Sequence, residues 1–138
     1  MEPATRIREI CTEYGLLSVY VFGSRRHDGE RRINGESVNG VGSDLDVGFF
    51  GLQGPIPASR LGALHVGLEE VFAPLRVDLV PLDQVDPLFQ YAAIQGERIA
   101  AANTTVADEK ELEVMRRAAD LLPIQRELEV DEFGVSTS

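Results

Sequence analysis

The chain holds a single cysteine, Cys11, so no internal disulfide can form. A lone thiol in a short chain reads as a buried small hydrophobe in a reducing compartment, and the cytoplasm is the expected location. Tryptophan is absent and lysine occurs once, at Lys110, far from the glycines, which excludes the Gly-Lys-Ser/Thr of a P-loop. Basic residues are outnumbered, 13 Lys and Arg against 23 Asp and Glu, for a net charge of -10. That sign repels a phosphate backbone and argues against direct nucleic-acid binding. Long apolar runs are missing too: no segment approaches the ~18 apolar residues of a membrane span. The first ten residues, MEPATRIREI, place no apolar stretch behind their charges. Neither secretion nor a membrane partner is expected.

What is present amounts to one domain over residues 1–138, with an ordered core at about 4–122. A chain of 15.1 kDa is large enough to bury roughly two thirds of its extended surface without a staple. The acid is unevenly spread: residues 1–80 carry -3 and residues 81–138 carry -7, whereas residues 25–32 (RRHDGERR) form an island of +2. A basic island in an acidic chain suits a compact anion such as a nucleoside triphosphate.

Ile7, Ile10, Cys11 and Tyr14 recur with helical spacing, which predicts a helix over 4–14 stopped by Gly15. Leu16 to Phe22 (LLSVYVF) reads as a strand running into the turn Gly23-Ser24. Residues 25–43 contain four glycines, four arginines and only three large aliphatics, a composition that predicts a long loop. Asp44 to Phe50 alternates as a strand with Asp44 and Asp46 on one face. A helix over 60–72, with Ser59 as a candidate cap, buries Leu61, Leu64, Leu68, Val71 and Phe72. A further strand over 75–80 carries Asp78. Pro87 opens a short helix ending at Gly96, residues 97–101 form an edge strand, and a last helix spans 106–122. That helix is expected to stop before Pro123 and to bury Leu112, Met115, Ala119 and Leu122, with 131–138 a frayed tail.

The chemistry sits on three aspartates. Apolar strands disfavour Asp, because burying an unpaired carboxylate is costly, and Asp44, Asp46 and Asp78 repeat that anomaly. A hard divalent cation compensates such a set, since Mg²⁺ takes one or two protein carboxylates and completes its shell with waters and phosphates. Two such ions can clamp both oxygens of an in-line displacement. Upstream, Gly23 lets the backbone approach a phosphate, Ser24 offers a hydroxyl and an N–H, and Arg25 and Arg26 offer planar cationic forks. Metal-assisted nucleotidyl transfer is the predicted chemistry.

The segments Gly23-Ser24-Arg25-Arg26, Ser43-Asp44-Leu45-Asp46-Val47 and Val77-Asp78-Leu79-Val80 resemble the minimal nucleotidyltransferases (MNT) of the DNA-polymerase-beta-like superfamily. The resemblance continues through Asp86-Pro87-Leu88-Phe89 and Gly96-Glu97-Arg98-Ile99. It implies an α/β nucleotidyltransferase fold, a small mixed β-sheet flanked by helices with a C-terminal helix. It also implies that Gly23 and Ser24 hold ATP, that Asp44, Asp46 and Asp78 bind Mg²⁺, and that Asp78 deprotonates the acceptor. Stand-alone members are commonly antitoxins paired with a HEPN-domain ribonuclease toxin, and some act as protein adenylyltransferases that move AMP onto a toxin tyrosine. A hetero-oligomer with such a toxin is therefore expected. The 19 residues between Ser24 and Asp44 exceed the family's usual spacing.

Two other functions compete with that one. The chain could neutralise a toxin by binding alone through its acidic C-terminal half, with Glu109, Glu111 and Glu113 on a solvated helix face. Modification of a small molecule of the aminoglycoside type ranks lower, because such enzymes carry a sizeable second domain. His65 reads as a core-edge residue, Arg31 and Arg32 as solvated, and His27 as divided between solvent and phosphate.

Overall fold

The computed structural model describes the backbone of residues 1–133 and the side chains of residues 1–122. Helix α1 (Pro3–Tyr14) leads into strand β1 (Leu16–Phe22), helix α2 (Arg26–Ile33) and strand β2 (Leu45–Gly51). Helix α3 (Ala58–Phe72), strand β3 (Val77–Pro81), helix α4 (Pro87–Ile94), strand β4 (Glu97–Ala101) and helix α5 (Thr104–Phe133) follow. The strands form one mixed sheet in the order β3-β2-β1-β4. β1 is antiparallel to both β2 and β4, and β2 is parallel to β3 across the α3 crossover.

Each face of the sheet has its own cover. On one side, Ile7, Ile10 and Cys11 of α1 and Leu64, Leu68, Val71 and Phe72 of α3 bury Val19, Val21, Val47 and Phe49. Burial pushes the Cys11 thiol up to about 11, so it behaves as the small hydrophobe expected. On the other side, Ala93 and Ile94 of α4 and Ala107 and Val114 of α5 cover Leu17, Tyr20 and Phe50.

Four expectations are corrected. The stretch 25–43 is not all loop, because residues 26–33 form α2. That helix has little apolar surface, but Gly29 lets its backbone lie against Val21 and Leu45, where an added Cβ would meet their side chains at about 3.0 Å. Ile33 then packs onto the core, and Arg25 with Asp28 supplies an i, i+3 ion pair at 2.9 Å. Second, Ser59 is not the cap of α3. The helix begins at Ala58 after Pro57, without a side-chain cap.

Third, α5 does not stop before Pro123 but continues to Phe133, taking in residues 131–133 of the expected tail. Proline removes one helical N–H, yet RRAADLL before it and IQRELE after it consist largely of good helix formers. The remaining tail, residues 134–138, lies outside the described residues. Fourth, the buried stripe of α5 is Ala107, Val114 and Ala118, whereas Leu112, Met115 and Leu122 are 50%, 39% and 38% exposed. Small residues bring this helix close to the sheet, and the larger stripe, offset by about a quarter turn, is left outside.

Candidate active site at the strand ends

Strand direction brings the distant motifs together. Because β1 and β2 are antiparallel, the end of β1 meets the start of β2, with Phe22 opposite Asp46. Because β2 and β3 are parallel, Asp46 in turn lies opposite Asp78. Register partners in neighbouring strands point to the same face, so these two carboxylates share the face covered by α4 and α5. Asp44 stands two residues before Asp46, just ahead of β2, and is exposed.

The turn after β1 fits over this pair. Gly23 adopts φ 76, in the left-handed region, and any Cβ there would collide with Asp46 Oδ2. The conformation favours glycine, and a side chain there would push the Asp46 carboxylate from its place. Ser24 is exposed, and its Oγ lies 3.2 Å from Ser43 Oγ, tying the turn to the residue before Asp44.

Partial burial raises the pKa of Asp46, and the neighbouring Asp78 carboxyl, then Asp44, push it further. A cation would relieve that repulsion, and the donors are hard oxygens of the kind Mg²⁺ prefers. Among the described residues no three His, Cys, Asp or Glu side chains close as a metal cage. Mg²⁺ does not need one, since waters and substrate phosphates complete its shell, so the Asp46 and Asp78 pair fits with Asp44 at its side.

The two arginines of the motif behave differently. Arg26 is exposed at the start of α2. Arg25 Nε donates to Asp28 Oδ2 at 2.9 Å, Nη1 donates to the carbonyls of Ser43 (3.1 Å) and Val41 (3.3 Å), and Nη2 donates to that of Asn39. The sequence carries no sign of that engagement or of the Ser24 and Ser43 contact, since the partners are backbone carbonyls and a serine 19 positions away.

Other singled-out residues lie elsewhere. His65 Nε2 is 2.8 Å from the carbonyl of Val77 and 3.2 Å from Glu69 Oε1, so it fastens α3 to β3 next to Asp78. Arg32 donates to the carbonyl of Glu36 at 2.9 Å, and Arg31 lies 3.8 Å from Asp28. His27 is 3.5 Å from Glu30. Glu111 does not belong to a solvated face: its Oε2 accepts from Tyr20 Oη at 2.8 Å and from Arg98 Nη1 at 2.6 Å. Glu113 pairs with Arg117 and, at 3.8 Å, with Lys110, while Glu109 is exposed.

Comparison with solved structures places the fold. A chain of a toxin-antitoxin complex with AMP-PNP superposes with a TM-score of 0.67 at 14% identity, over 96% of this chain and 98% of that one. The fold is a nucleotidyltransferase fold. A chain of the MntA-HepT toxin-antitoxin complex superposes at 0.64 and 13% identity, over 96% and 97% of the two chains. So does a chain from the complex of tri-AMPylated Shewanella oneidensis HEPN toxin with MNT antitoxin, with the same TM-score, identity and coverage. No protein-family model and no curated protein matches the sequence. No described helix is long and apolar enough to cross a membrane.

Proposed function

We propose that the chain is a Mg²⁺-dependent nucleotidyltransferase that works as an antitoxin, moving AMP from ATP onto a tyrosine hydroxyl of a HEPN-type ribonuclease toxin. The observation that carries this reading is the carboxylate pair Asp46 and Asp78, held in register beneath the left-handed Gly23 turn, whose missing side chain leaves room for Asp46 Oδ2. Its structural neighbours come from toxin-antitoxin complexes, one with AMP-PNP and one with an AMPylated toxin. A related complex was also solved with two aspartates, two positions apart, changed to glutamate. Asp44 and Asp46 have that spacing.

Bound Mg²⁺ would neutralise triphosphate charge and polarise the phosphoryl centre. Asp44, Asp46 and Asp78 would hold it, while Gly23 and Ser24 present backbone N–H and hydroxyl donors to the phosphates. Asp78 is exposed beside Asp46, where a protein acceptor can reach it. Asp78 takes the proton as the tyrosine oxygen attacks the α-phosphorus. The bond from the α-phosphorus to the bridging oxygen breaks, pyrophosphate leaves, and the tyrosine retains AMP.

Incubating the purified chain with ATP, Mg²⁺ and its toxin tests this directly by intact mass. The toxin is expected to gain AMP, and Asp44→Ala with Asp46→Ala is expected to abolish both the gain and neutralisation. A second reading, inhibition by binding alone, draws on the exposed Leu112, Met115 and Leu122 of α5. Full neutralisation by the double alanine variant, with no AMP on the toxin, would replace the first reading with the second.

A further inference from the structure

The 19-residue spacing between Ser24 and Asp44 poses a mechanical problem. After α2 the chain must return to the site and deliver Ser43 and Asp44 to a fixed place, and residues 34–44 contain no regular element to do so. Part of the return is held by packing. Val38 rests on the core, and Gly40 lies so close to the carbonyl of Pro74 that an added Cβ would be 2.8 Å from it. Beyond Gly40, Val41, Gly42 and Ser43 are exposed and have no apolar anchor.

Their anchor is Arg25. Its side chain is only 11% exposed, its charge is met by Asp28, and its fork grips the carbonyls of Asn39, Val41 and Ser43. Gly42 closes over the guanidinium, with room for a Cβ only 3.2 Å from Nη1. Asn39 adds a local brace, its Oδ1 accepting from the Val41 N–H at 2.8 Å. Four of the five guanidinium donors are spent in this way, whereas Arg26 next to it is exposed.

We propose that Arg25 is a positioning residue: it pins residues 39–43 so that Ser43 and Asp44 stand beside Ser24 at the mouth of the site. Arg26, exposed and outside this clamp, stays available to the triphosphate. This rests on the nucleotidyltransferase reading of the site, and it gives the two neighbouring arginines separate roles. It also explains how a long excursion between the motifs is compatible with a constant site. The fork geometry, rather than the charge, does the holding, because a lysine ammonium cannot span carbonyls from three different residues in one plane.

The test uses the full chain with Mg²⁺ and AMP-PNP as probes. Backbone order parameters of residues 39–43 should be near the rigid value of about 0.85 in the wild type and fall below about 0.6 in Arg25→Lys as well as Arg25→Ala. AMP-PNP affinity should fall by about tenfold or more in both, the loss expected when a hydrogen bond to a charged phosphate is no longer held in place. Arg26→Ala should weaken AMP-PNP binding with those order parameters unchanged. Arg25→Lys matching the wild type in affinity and loop order would overturn the proposal, as would a loop already mobile in the wild type. If the wild type binds no AMP-PNP, the nucleotidyltransferase reading fails, and the order parameters still decide whether Arg25 is the clamp. Arg25→Lys, which keeps charge and bulk at the start of α2, provides the readout if Arg25→Ala does not fold.

Discussion

The two faces of the sheet are closed by different means. The α1 and α3 face is shut mainly by large side chains, with Ile7, Ile10, Leu64, Leu68 and Phe72 at no more than 1% exposure, while Gly29 seats α2 against Val21 and Leu45 at its edge. The α4 and α5 face is shut by a mixture of small and larger residues, Ala93 and Ala107 with Ile94 and Val114, and by a polar junction in which Tyr20 and Arg98 both donate to Glu111. The candidate site opens at the corner of the second face, where Asp46 and Asp78 point. The difference suggests a division of labour: apolar burial on one side supplies most of the stability, and the other carries charges that burial cannot satisfy.

Phe72→Ala breaks this comparison hardest. The ring is fully buried between α3 and the sheet, so its removal should cost about 3–5 kcal/mol, read as a lowered denaturant midpoint with an unchanged slope. A loss below about 1 kcal/mol would mean that the first face is not the dominant core.

A smaller effect is expected on the second face from Glu111→Ala. The Tyr20 hydroxyl, whose pKa burial and then Glu111 raise, and the Arg98 guanidinium would both lose an acceptor. Asp108 still accepts from Arg98 at 2.8 Å, so the loss should be about 1–3 kcal/mol rather than more. A double-mutant cycle with Tyr20→Phe sharpens the assignment: a coupling of about 0.5–3 kcal/mol marks a working junction, and none marks a bystander.

The same contrast explains what could be read from the sequence. The stripes of α1 and α3 were legible because periodic large hydrophobes are there for burial, and β1, β2 and the Gly-Ser and Asp-x-Asp motifs announced themselves by alternation and by charge where none belongs. α2 was hidden because its contact with the sheet is made by Gly29, a residue that signals turns. In the site, Arg25 looked like its neighbour Arg26, since a guanidinium in sequence gives no hint that backbone carbonyls from residues 39–43 have claimed it. On α5, the stripe Leu112, Met115, Ala119 and Leu122 has better helical spacing and more apolar bulk than Ala107, Val114 and Ala118. Periodicity alone therefore selected the wrong face.

That last misreading yields the smallest expected effect and a decisive one. If α5 docks through Ala107, Val114 and Ala118, replacing Leu112 and Met115 by Gln exchanges solvent-facing side chains for others, and the isolated chain should change by no more than about 0.5 kcal/mol per site. If the helix instead lies rolled with the larger stripe against the sheet, the same double variant buries two amides and should cost several kcal/mol. Val114→Asp reverses the two outcomes, being severe in the observed docking and mild in the rolled one. Measured together by denaturant titration, the pair fixes which face of α5 the fold uses, and so whether Glu111 reaches Tyr20 at all.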